Sequence, residues 1–209
     1  KYGTNGQLLN ESELYLEGGD TWAGNIPAQD GNIVLQMQVV ATNSEETSGQ
    51  SVIQERMIAN STPNSISDLY TNQTADQIVT IKGIVTIGGS GLLHPSFTKA
   101  YVQDESGRGL QLFDYDQLTD LERGSEVEVV GYAGYYFTTY QMTDFEYRVV
   151  STNNTLPEAV AISAAEANSA DYEGTLVSIS GLITDTTLVN QTDGINLTID
   201  DVTNVMIWS

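Results

Sequence analysis

The chain has 209 residues, and its 28 acidic against 7 basic residues give a formal charge of −21 at pH 7. It contains no cysteine and one histidine, which excludes disulfide scaffolds, thiolate zinc sites and most sites built from several histidines. Because 40% of the residues are hydrophobic and only 17% are charged, the chain can bury a core and is predicted to fold.

Residues 1–58 are predicted to form a partial β unit. Residues 33–41 alternate apolar and polar side chains, and a polar turn separates them from a second extended run at 51–58. This pattern predicts a β-hairpin, preceded by a short strand near Glu13–Leu16. From the turn-rich run around Trp22 to the hairpin, the segment resembles the final strands of immunoglobulin-like or fibronectin type III-like modules in secreted bacterial proteins. The resemblance implies an incomplete β-sandwich.

Residues 59–76 are predicted to be a linker. They are polar, contain Pro63 and show no sustained period, apart from one possible helical turn at Ser65–Tyr70. A new domain is expected to begin after them.

An internal repeat is the strongest signal in the sequence. VTIKGIVT at 79–86 matches VSISGLIT at 177–184, and the two copies carry central glycines, Gly83 and Gly181. A residue without Cβ permits the strong bend of a strand that coils across a small barrel. After the first copy, four more predicted strands follow, with a polar and potentially helical connector at Asp116–Arg123. Five strands in this arrangement are typical of an OB-fold barrel.

The predicted fold class is therefore all-β, with a partial β-sandwich, an OB-fold barrel at 77–155 and an incomplete second OB-like unit at 156–209. The run "VTIKGIVT…AYVQDESGRGLQLFDY…LERGSEVEVVGYAGYYFTTYQMTDF", followed by "YEGTLVSISGLITD", resembles tandem OB-fold modules of secreted bacterial proteins, among them accessory regions of extracellular nucleases. The second unit reaches only its third strand, at Trp208–Ser209. We expect its missing strands to come from a longer chain, from the N-terminal hairpin or from a neighbouring subunit, and the last would build a fibre.

Candidate ligand-binding residues lie in two predicted loops of the barrel. His94 falls between the first two strands, where OB-folds often bind ligands, although a lone histidine is more often an ordinary loop residue. Tyr135, Tyr136, Phe137 and Tyr140 belong to an aromatic run at the tip between the fourth and fifth strands. Such rings can stack on bases or sugars, and alternate ones are expected to pack into the core. The negative charge favours sugar or protein over nucleic acid.

Acidic residues at predicted hairpin turns are candidates for a calcium site. They are Asp104, Asp200 and Asp201, and calcium takes six to eight oxygen ligands. A solvated turn is the alternative interpretation. No catalytic residue is predicted, because nothing around His94 supplies a positioned nucleophile or acid. No cofactor other than calcium is expected.

The lack of catalytic residue types, the negative charge, the repeat and the incomplete units at both ends together predict a non-catalytic extracellular or cell-surface module. Its expected role is structural or adhesive, as part of a larger surface protein or a strand-complemented fibre. An excess of acidic residues and several N-x-S/T sequons favour that location. The alternatives are an accessory region of a secreted nuclease or hydrolase, whose catalytic domain lies outside this chain, and a carbohydrate-binding module. No run approaches the roughly 20 apolar residues that span a bilayer, so no membrane span is expected.

Overall fold

The computed structural model of this protein describes residues 1–72, 75–91, 93–189 and 194–207. Within these ranges the chain forms eighteen β-strands and a single α-helix of seven residues. The all-β class predicted from the sequence is confirmed. No helix among the described residues is long and apolar enough to cross a membrane.

The first 58 residues form one small sheet and two hairpins. The sheet contains, in spatial order, β2 (Gln7–Asn10), β1 (Tyr2–Thr4), β5 (Ile33–Met37) and β8 (Gln54–Ile58). The paired strands are β3 (Tyr15–Gly18) with β4 (Thr21–Ala23), and β6 (Val40–Thr42) with β7 (Ser48–Gln50). β5 and β6 form one arm of a long hairpin, and β7 and β8 form the antiparallel return arm. Between the two strand pairs, Ser51 N donates a backbone hydrogen bond of 2.9 Å to Val39 O. This confirms the predicted hairpin.

A closed five-stranded barrel follows. Its strands are β9 (Gln77–Ile87), β10 (Thr98–Gln103), β11 (Gly109–Asp114), β12 (Glu126–Tyr136) and β13 (Thr139–Ser151). Around the barrel the order is β9-β10-β11-β13-β12, and β11 and β13 are the parallel pair. Five strands closed in this Greek-key order are the OB-fold barrel that the sequence predicts.

Strand alternation and one glycine explain how the barrel closes. Alternate residues of β9, β10 and β11, such as Val85, Val102 and Leu112, point into a fully buried core. A Cβ at Gly83 would lie 2.5 Å from the carbonyl oxygen of Gln103, so the bend of β9 requires a residue without a side chain. The first half of β9 can therefore pair with β12 and its second half with β10.

The barrel end near the β10–β11 turn is covered by α1 (Ile66–Asn72). Ile66 and Leu69 lie in the barrel core, and the backbone N–H of Ile66 donates to Asp104 Oδ2 at 2.8 Å. Residues 59–76 are predicted to be a linker with one helical turn at Ser65–Tyr70. That turn is confirmed as α1, but the helix is an integral part of the barrel and not a linker. Its apolar positions were hidden in a short, mostly polar segment.

The connector between β11 and β12 lies against the other end of the barrel. It contains no helix in this fully described segment, contrary to the potential helix at Asp116–Arg123. Instead Leu121 inserts into the core, and its carbonyl oxygen accepts from Gly89 N at 2.9 Å. Turns of the connector therefore cover the barrel core at this end.

The remaining strands form two separate groups. β14 (Val160–Ile162) pairs in parallel with β15 (Val177–Ile179), and β16 (Ile183–Val189), β17 (Gly194–Ile199) and β18 (Thr203–Ile207) form an antiparallel sheet. The segment that matches β9 in sequence is thus divided between β15 and β16. Trp208 and Ser209, which are predicted to end the third strand of the second OB-like unit, lie outside the described residues.

A short segment docks the second part of the chain onto the barrel. The backbone of Gly174 packs so closely on Gly109 that a Cβ on Gly109 would collide with the Gly174 carbonyl oxygen. The backbone N–H of Tyr140 donates to Glu173 Oε1, and that of Leu176 donates to Gln103 Oε1, both at 2.8 Å. These contacts involve backbone groups on both sides, so they define one position for the segment.

Candidate functional site: an aromatic groove on the barrel

A groove of about 700 Å³ lies on the outer face of β10, β11 and β13. Since side chains alternate along β11, Leu110 and Leu112 point into the core while Gln111 and Phe113 face the groove. The groove floor is polar and consists of Gln111, Thr139, Gln141 and Thr143. Its volume falls in the range of small-molecule binding clefts.

One rim of the groove is a row of aromatic side chains. The ring of His94 stacks on Phe97 with centroids 3.4 Å apart, and Phe97 lies 5.4 Å from Phe113. Phe113 in turn meets the exposed ring of Tyr115 edge-on at 5.1 Å. Lys99 Nζ lies 5.5 Å from the Phe97 ring centroid. The loop before β10 and the end of β11 together build this row.

The opposite rim is the turn between β12 and β13. Phe137 has 87% of its surface exposed and Tyr136 has 64%, and their rings meet edge-on at 4.8 Å. Phe137 has a φ of 53°, a left-handed conformation that is uncommon for a bulky residue. Contiguous exposed aromatic rings of this kind are a common feature of binding surfaces.

Hydrogen bonds hold the groove floor in a defined orientation. Tyr101 Oη donates to Gln111 Oε1 at 2.9 Å, and Gln111 Nε2 donates to Gln141 Oε1 at 2.7 Å. This row crosses three neighbouring strands, so the amide groups are oriented before any ligand arrives. The pKa of the Tyr101 phenol is raised above its ordinary value, mainly by burial and secondly by the charge of Glu173. Tyr101 therefore stays neutral and acts as a donor at ordinary pH.

The structure places the sequence-predicted aromatic residues in different environments. Tyr136 and Phe137 line the groove, and His94 extends its aromatic row. Tyr135 is about half exposed and packs on Tyr140, with centroids 4.9 Å apart. Tyr140 itself is 1% exposed, so the prediction that it contacts ligand is wrong: it is an inward-facing residue of β13 and fills the core.

The candidate calcium ligands are not brought together. Asp104 accepts from the backbone N–H groups of Ile66 and Ser106, and Asp200 Oδ1 accepts from Leu182 N at 2.8 Å. Asp201 has a φ of 57° in the β17–β18 turn. Across the described ranges, no group of three or more histidine, aspartate or glutamate residues is placed to hold a metal ion. Asp104 and Asp200 thus order the chain around their turns.

Sequence reasoning missed three residues of the aromatic row, Phe97, Phe113 and Tyr115. The outward position of Phe113 could have been predicted, because in the strand LQLFD the two leucines alternate with Gln111 and Phe113. The position of Phe97 could not have been predicted in this way, since Phe97 lies in a loop and is brought near Phe113 by the pairing of β10 with β11.

Comparison of the chain with family models, with curated proteins and with solved structures found no match.

Proposed function

We propose that this chain is a non-catalytic extracellular binding module whose barrel holds an oligosaccharide in the aromatic groove, in an adhesive role. The observation that carries this proposal is the pair of exposed aromatic rims on either side of a polar floor. Aromatic rings pack against the apolar faces of sugar rings, while amides and hydroxyls bond to sugar hydroxyl groups. OB-folds use this strand face and its flanking loops for oligosaccharides as well as oligonucleotides.

Charge favours a sugar over a nucleic acid. Lys99 is the basic residue among the side chains that line the groove, and Asp114 and Asp144 line it too. The chain as a whole carries −21. Nucleic-acid binding relies on several lysine or arginine contacts with phosphates, and these residues do not supply them. The acidic surface and the sequons support an extracellular location, and a composition with one histidine and no cysteine supports a non-catalytic role.

A glycan array followed by isothermal titration calorimetry tests the proposal. We expect an oligosaccharide of several units to bind, and Phe137→Ala or Tyr136→Ala to weaken binding about tenfold, the loss of one stacked ring. Trp22→Ala is the matched control, because Trp22 is an exposed aromatic residue outside the groove lining and its removal should leave binding unchanged. An array without hits, or equal weakening by the control, would refute the proposal.

A structural role through self-association is a second candidate, supported by the apolar face of the β16–β18 sheet. Leu188 and Ile183 are 73% and 54% exposed, and the cross-strand neighbour of Leu188 is Ile195. We expect a second copy of the chain to cover this face, because exposed apolar faces of this kind mark protein contacts. Light scattering should then show concentration-dependent association that Leu188→Asp reduces and Leu9→Asp, on an exposed leucine of β2, does not.

A further inference from the structure

We infer that the oligosaccharide is an amine-bearing one, a chain of hexosamine units with free ammonium groups, and that one ammonium binds in a notch over Gly134. This inference rests on the proposed function, since it names the class of sugar that the same groove takes. The notch has a volume of about 170 Å³ and shares Tyr136, Gln141 and Thr143 with the groove. A sugar chain in the groove can therefore place a substituent in it.

The notch exists because one outward position of β12 has no side chain. Tyr132, Gly134 and Tyr136 alternate along the strand toward the outer face, where Gly134 pairs with Gln141 of β13. Tyrosines on both sides of a glycine leave a gap that matches a small group. The notch has room for one substituent of one sugar ring.

Asp76 places a carboxylate at this gap. A Cβ at Gly134 would lie 3.7 Å from Asp76 Oδ1, so the carboxylate stands over the position of the missing side chain. The backbone N–H of Asp76 donates to Ala133 O at 3.0 Å, which holds the residue beside β12. Of the described residues that line the notch, Asp76 alone is charged.

These features select for a cation. A carboxylate attracts an ammonium group and forms charge-assisted hydrogen bonds with it, and the rings of tyrosine attract cations as well. Lys99, the basic residue of the groove, belongs to the opposite aromatic row beside Phe97. An uncharged acetamide forfeits the ionic attraction, and a sulfate or phosphate group would be repelled by Asp76.

Calorimetry with two matched probes tests the inference: a hexamer of glucosamine and the same hexamer fully N-acetylated. We expect the native chain to bind the free-amine hexamer about fivefold more tightly at low salt, as exposed ion pairs and cation–π contacts allow. Asp76→Asn should reduce this preference without weakening the acetylated hexamer, while the other acidic groups of the groove, Asp114 and Asp144, leave a smaller general attraction in place. The change keeps the side-chain size, and asparagine tolerates the left-handed φ of 58° found at Asp76. Asp30→Asn, on an exposed aspartate outside the notch, is the control.

Gly134→Ala provides an independent variant. Its new methyl group would meet Asp76 at an ordinary van der Waals distance, so the fold should tolerate it while the notch is filled. It should also reduce the preference for the free amine.

The outcomes separate the two proposals. Equal binding of both hexamers by the native chain would overturn the amine assignment and leave the oligosaccharide function standing. Binding of neither hexamer, together with an empty glycan array, would overturn both. Tighter binding of a lysine hexapeptide than of the free-amine hexamer would show that the notch serves a basic peptide instead, and would also overturn the inference.

Discussion

The barrel and the β16–β18 sheet form a contrast within one chain. Val85 of β9 is fully buried, whereas Ile183, the residue at the matching position of the sequence repeat, is 54% exposed. Each segment contains a glycine whose added Cβ would collide with residues at the end of a neighbouring strand: Gly83 with Gln103, and Gly181 with Ile199 and Asp200. The difference is that β12, β13 and α1 cover the inner face of the first three barrel strands. Burial here is a consequence of closure rather than of strand sequence.

The largest expected effect is a difference between two isoleucine truncations. Ile81→Ala removes a fully buried side chain of the barrel core and should lower the free energy of unfolding by about 2–5 kcal/mol. Ile183→Ala removes a side chain that is mostly in water and should cost under about 1 kcal/mol. Urea titration followed by circular dichroism compares them. Similar losses would mean that the sheet is covered as completely as the barrel.

The two glycines of the repeat, Gly83 and Gly181, should also differ. In Gly83→Ala the new Cβ would press on a backbone carbonyl oxygen that belongs to the barrel ladder, so we expect a loss of about 1–3 kcal/mol. In Gly181→Ala it would meet the side chains of Asp200 and Ile199. Their displacement would disturb the bond from Leu182 N to Asp200 but no barrel ladder, so the loss should be smaller. Urea midpoints measure both. A larger loss for Gly181→Ala would contradict the view that the barrel is the more constrained region.

The junction between the two regions should depend on one hydrogen bond. Glu173→Ala leaves the N–H of Tyr140 without its carboxylate acceptor and should destabilise docking by about 1–3 kcal/mol. Glu173→Gln keeps an acceptor oxygen and is the matched control. Hydrogen exchange should show faster exchange of the Tyr140 amide in the alanine variant than in the glutamine variant. Equal exchange in the two would show that docking depends on the Gly109–Gly174 contact instead.

The smallest expected effect is a pH dependence confined to the barrel. Burial, followed by the Glu173 charge, raises the pKa of the Tyr70 phenol well above its ordinary value of 10.0. The folded state therefore holds this proton more tightly than the unfolded state, so its contribution to stability is complete below about pH 10 and declines above it. Tyr70→Phe should reduce the decline in barrel stability between pH 9 and about pH 11. An unchanged slope would assign the decline to other groups.

Local patterns in the sequence were enough for most of the strands. Alternation gave the 33–58 hairpin, and the glycine in VTIKGIVT marked the bend of β9 correctly. The same reasoning failed where a contact partner is distant in sequence. Tyr140 and Phe137 look alike as members of one aromatic run, but they lie on opposite sides of the barrel wall.

By itself the sequence determined that the chain is an acidic all-β protein with a small barrel, because strand periodicity, bend glycines and charge are local properties. Only the tertiary structure decided that the segment around Ile66 seals the barrel and that Phe97, Phe113 and Phe137 frame one groove. The tertiary structure also places Asp76 over Gly134, where the hydrogen bond from Asp76 N to Ala133 O holds it. Barrel closure brings these residues together, and closure depends on pairing between strands far apart in the chain, which no local pattern encodes.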